Sequence, residues 1–91
     1  MFDGKHCTKE DLDLLVLNTN NVLNALSEGD RSGLDSFLKL IDRFDVEVSR
    51  RICYQIKDVN DIEKLKRIIS NNIDELKQNV LVDINEHRGN L

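Results

Sequence analysis

Apolar residues along this chain recur three and four positions apart rather than two, and that period predicts helices instead of strands. The strongest stripe is Leu34, Phe37, Leu38, Ile41, Phe44, Val48, Ile52 and Ile56. An earlier one runs through Leu12, Leu15, Val16, Val22, Leu23 and Leu26, and a later one through Ile62, Leu65, Ile69, Ile73, Leu76, Val80 and Ile84. The first helix is expected to begin at Thr8, where Thr8-Lys9-Glu10-Asp11 resembles a capping box with Asp in place of Glu. It closes near Glu28, with Gly29 supplying a left-handed cap. The second opens around Asp30 or Ser32, where Ser32-Gly33-Leu34-Asp35 is cap-like. Lys57-Asp58-Val59-Asn60-Asp61 reads as a turn, a helix running straight through being the alternative. Asn60-Asp61-Ile62-Glu63 then places an N-cap residue three positions before a Glu, and the third helix ends by Arg88 and Gly89. The chain contains no proline, and no glycine stands between Gly33 and Gly89 to interrupt the second and third stripes. The expected fold is all-α: one domain over residues 1–91, residues 1–7 a flexible N-terminus, the rest an up-down-up antiparallel bundle of three long helices. Each of the later two would run roughly 40 Å at 1.5 Å per residue.

Some apolar residues do not fit these stripes. With successive residues about 100° apart around a helix axis, Leu14 and Leu17 point almost opposite to Leu12, Leu15 and Leu26, with Asn21 and Ala25 nearby. The first helix thus has two faces, although Asn18, Asn20, Asn21 and Asn24 are weak helix formers and Ala25 is the chain's single alanine. Val46 and Tyr54 fall off the second stripe, Leu81 and Val82 off the third. Single exposed apolar residues are ordinary. Leu14 and Leu17 stand one turn apart, however, and together predict a ridge that docks a partner helix or a second copy of the chain. Leu14, Leu17, Asn21, Val46, Tyr54, Leu81 and Val82 are the candidate partner-binding residues.

Composition narrows the function. The chain has 91 residues, 40% hydrophobic and 33% charged, the balance of a water-soluble domain. Its net charge of −4 offers no general attraction to phosphate backbones or anionic membranes, so no nucleic-acid partner is expected. The longest apolar run, Leu14-Leu15-Val16-Leu17, is far too short to span a membrane, and Met1-Phe2-Asp3-Gly4 lacks a signal pattern, which points to a cytoplasmic protein. Cys7 and Cys53 are then expected as reduced thiols. No phosphate loop, H-E-x-x-H, C-x-x-C or G-x-S-x-G occurs. His6, Cys7, Cys53 and His87 do not match a zinc spacing. Asp11, Asp13, Asp35, Asp42 and Glu75 fall on polar helix faces, where no dry pocket separates carboxylate pKa values. The reading is a non-enzyme with no metal and no cofactor. One basic cluster stands out, Arg50, Arg51, Lys57, Lys64, Lys66 and Arg67. It is read either as a solvated end laced by Glu47–Arg51 and Glu63–Arg67 pairs or, through Arg50, Arg51, Lys64 and Arg67, as a dock for an acidic partner segment.

The segment Val22-Leu23-Asn24-Ala25-Leu26-Ser27-Glu28-Gly29-Asp30, leading into Leu34, Leu38, Ile41, Arg43 and Val46, resembles the first hairpin of FliT-type flagellar export chaperones. That resemblance covers roughly the first half of the chain. It implies a helical module that holds a C-terminal helical segment of the filament-cap protein before export and contacts the export apparatus or a flagellar regulator. From a different class, the alternative is a homodimeric helical regulator that occludes a transcription factor or an enzyme.

Overall fold

The computed structural model describes residues 7–89, with side chains through Glu86, and within it the chain is helical without strands. Four helices follow one another: α1 (Lys9–Ser27), α2 (Leu34–Phe44), α3 (Val46–Ile56) and α4 (Ile62–Gly89). The expectation of three long helices is therefore corrected to four, because the second is divided at Asp45. Asp45 is extended (φ −158°, ψ 109°). Its N–H still donates to the Ile41 carbonyl at 2.8 Å, closing α2, while its Oδ1 accepts from the Glu47 and Val48 amides at 3.0 and 3.3 Å, opening α3. Aspartate is among the best N-caps, since a short carboxylate satisfies amides that a helix start leaves bare. The chain folds back sharply there: the Ser49 hydroxyl donates to the Leu38 carbonyl at 3.0 Å, whereas in a straight helix eleven residues would separate them by about 16 Å. The apolar stripe survives the corner. Phe37, Ile41, Phe44, Val48 and Ile52 are all buried.

Other boundaries follow local chemistry. The Thr8–Asp11 capping box forms, with the Thr8 N–H donating to Asp11 Oδ2 at 2.8 Å and the Asp11 N–H to Thr8 Oγ1 at 3.3 Å. Gly29 takes φ +82°. Its N–H reaches the Leu26 carbonyl and that of Asp30 the Ala25 carbonyl, so two carbonyls at the end of α1 find donors in the pattern a left-handed residue permits. The turn before α4 lies where expected, but Asp61 rather than Asn60 caps it, accepting from the Glu63 amide at 3.0 Å.

Helix α1 runs antiparallel to α4. At one end the Cys7 N–H donates to Asp83 Oδ2 at 2.8 Å; at the other, the Arg31 guanidinium donates to the Val59 and Asn60 carbonyls at 3.2 and 2.6 Å. Helix α3 is also antiparallel to α4, since Arg51 meets Glu75 and Gln55 meets Asn72. Each helix packs on two others, α1 on α4 and α2, α3 on α2 and α4, and among the described residues none approaches its diagonal opposite. Side chains from all four fill the centre: Leu15, Leu26, Ile41, Phe44, Ile52, Leu65, Ile69, Ile73, Leu76 and Val80 have almost no accessible surface. Buried Thr19 and Ser49 bond backbone carbonyls through their hydroxyls, as interior polar groups must. The molecule is 46 Å long and 21 by 18 Å across, close to the length of α4 itself. Only α4 reaches the length expected of the two later helices. Cys7, assigned by sequence to a flexible N-terminus, is instead buried against the core. Residues 1–6 of that expectation lie outside the described residues.

Candidate interaction surfaces

The core line of α1 is Leu15, Thr19, Val22 and Leu26. Leu14 and Leu17 sit about 100° and 160° away from it, with Asn21 between them. Leu15 has no accessible surface, while Leu14 keeps 43% and Leu17 57% of theirs. The core closes without these two leucines. Between them they expose one leucine's worth of apolar surface, worth about 2 kcal/mol when covered. Micromolar affinity needs about 8 kcal/mol, so the pair can only anchor a larger contact. The residues that extend it run three turns along α1: Leu14, Asn18, Asn21 and Ala25 recur at four- and three-residue steps. The Asn18 side chain is turned back on the helix, donating to the Leu14 carbonyl at 2.8 Å.

The other candidates are exposed as well, and they scatter. Val46 begins α3, and Leu81 and Val82 lie on the far part of α4, past the Glu75 level at which Arg51 of α3 makes its ion pair. Tyr54, 82% exposed, stands over a different feature, an open groove of about 590 Å³ between α3 and α4 lined by Arg51, Tyr54, Gln55, Lys64, Ile68, Asn71, Asn72 and Glu75. The α4 contributors follow its helical repeat at 64, 68, 71, 72 and 75, so they form one wall. On the floor, buried Asn72 donates through Nδ2 to Gln55 Oε1 and to the Ile68 carbonyl, both at 2.8 Å.

The groove unites Arg51, Tyr54 and Lys64 from the sequence candidates, with Arg67 one turn from Lys64 and Arg50 one turn from Tyr54. Both ion pairs expected in this cluster are replaced. Arg51 pairs with Glu75 across the helix boundary, and Glu63 pairs with Lys66 at 3.9 Å. Arg50, Lys64 and Arg67 have no ion pair among the described residues. Sequence reasoning missed Gln55, Ile68, Asn71 and Asn72, whose meeting depends on how α3 crosses α4. The only available signal was the spacing of Ile68, Asn71 and Asn72 along one face of the third stripe's helix, and nothing in the sequence tied Gln55 of α3 to them.

Among the described residues no group of His, Cys, Asp and Glu side chains is arranged to hold a metal ion. No helix among them is long and apolar enough to cross a membrane. Cys53 is exposed and Cys7 buried, and neither forms a disulfide. Comparison with family models, with curated proteins and with solved structures finds no match to this chain.

Proposed function

We propose that this chain is a protein-binding helical module of the cytoplasm that lays an amphipathic helix of a partner along α1, as the resemblance of its first hairpin to FliT-type export chaperones implies, the partner being an export substrate. The observation that supports this reading is the second apolar face of α1: Leu14 and Leu17 face solvent beside Leu15, in a helix whose core side is already complete. Holding an apolar helix of a partner replaces two aggregation-prone surfaces with one buried interface, at about 25 cal/mol per Å² covered. Asn21 and Ala25 suit the same seam, a small residue for close approach and an amide to set register.

Site-specific photocrosslinking tests this in cells that make the protein. A benzophenone side chain at position 17 should give an adduct that maps to a helical segment of one other protein, lost when Leu14→Asp is added. The same group at exposed Ser36 should give none. Equal labelling from both positions, or none from position 17, overturns the reading, and an adduct to a second copy of the chain transfers the ridge to a homodimeric regulator.

A further inference from the structure

We propose that the α3–α4 groove is a second binding site, separate from the α1 ridge, that takes an extended acidic peptide strand of another protein. Its wall on α4 runs from Lys64 to Glu75, eleven residues or about 16 Å of helix. An extended chain advances about 3.3 Å per residue, so the wall accommodates about five residues. Charge selects the ligand. Arg50, Lys64 and Arg67 stand at or beside the groove without an ion pair among the described residues, on a chain whose net charge is −4. Arg51 spends one N–H on Glu75, and a guanidinium carries five. Glu75, the single carboxylate of the lining, is held by Arg51, so the uncompensated positive charge lies toward Lys64.

The remaining lining fits a peptide better than a free anion. Asn71 and Gln55 are exposed amides; Asn71 presents both a donor and an acceptor, the complement of a peptide unit, and Gln55 adds a donor. Asn72 uses both Nδ2 hydrogens on Gln55 and on the Ile68 carbonyl, which holds the Gln55 side chain in place and leaves its NH₂ to donate. Half-buried Ile68 and the open ring of Tyr54 provide an apolar spot for one side chain. A single aromatic offers little to a nucleic acid, which binds strands through successive stacked bases.

The test uses the full chain, uniformly ¹⁵N-labelled, and a fluorescein-tagged five-residue peptide with acidic residues around a central phenylalanine. Its Asn/Gln counterpart and a single-stranded oligonucleotide are the comparisons. Amide shifts should move at Arg51, Tyr54, Lys64 and Asn71. Anisotropy should place the neutral peptide at least about tenfold weaker. Lys64→Glu combined with Arg67→Glu should lower affinity for the acidic peptide by more than about tenfold, and Asn71→Ala, which leaves charge unchanged, by about fivefold, the loss of one hydrogen bond. All these sites are exposed, and circular dichroism confirms that the variants stay folded. Equal binding of the two peptides, shifts confined to other surfaces, no effect of Asn71→Ala, or tighter binding of the oligonucleotide each overturns the proposal.

Discussion

Burial raises the Cys7 thiol pKa above its ordinary value, and the carboxylates of Asp83 and Asp11 push in the same direction. The thiolate is the species that reacts with alkylating agents, so a raised pKa and a closed environment act together to slow it. Cys53, on the outside of α3, has open access. At pH 8, iodoacetamide should therefore modify Cys53 first, with Cys7 reacting at least about tenfold more slowly, read by mass spectrometry of digested time points. Equal rates would show that the start of α1 opens freely. The link to stability has a definite sign. Because the folded thiol holds its proton more tightly than the unfolded one, its contribution is intact at neutral pH. That contribution declines as pH rises from the ordinary thiol range through the higher folded value.

At the corner between α2 and α3 one side chain, that of Asp45, caps the start of α3. Asp45→Ala should cost about 1 kcal/mol, within the usual 0.5–2 kcal/mol for a lost cap, measured as a lower urea midpoint with little change in helix content. A gain in stability would mean that α2 and α3 prefer to run straight. This corner also marks the limit of what the sequence disclosed. A 3.6-residue period reports which side of a helix is apolar but is blind to a bend that keeps the same side inward, as Phe44 and Val48 do across Asp45. The aspartate was visible as a strong cap former, but nothing nearby, neither proline nor glycine, competed with the stripe. Leu14, Leu17, Val46, Tyr54, Leu81 and Val82 were legible as outward-facing for the converse reason: exposure of a helical residue depends mainly on its angle from a stripe on the same helix. The groove was legible only in its cations and in Tyr54. Its amides come from two helices, and their meeting follows from the crossing of α3 over α4.

At the scale of the molecule, four helices each hold two neighbours, and the ring closes where the start of α1 meets the end of α4. The Cys7 N–H to Asp83 contact joins residues 76 apart in sequence through a charged acceptor, which strengthens a hydrogen bond. Asp83→Ala should lower stability by about 1–3 kcal/mol. Hydrogen exchange at the amides of Leu12 and Leu15 should quicken more than at Ile41 or Ile52. Uniform acceleration would mean that this junction opens only when everything unfolds. The order of assembly follows from the same contact. Ser49 reaches Leu38 by closing a loop of 11 residues, and the cost of closure grows as (3/2)RT ln n, so the longer loop costs about 1.7 kcal/mol more. The α2–α3 corner can therefore form early, and closing the start of α1 onto the far part of α4 carries the larger cost. Until α4 closes on it, α1 has only α2 as a neighbour, and a partner present as the chain is made meets Leu14 and Leu17 on a helix whose other apolar side is still partly uncovered.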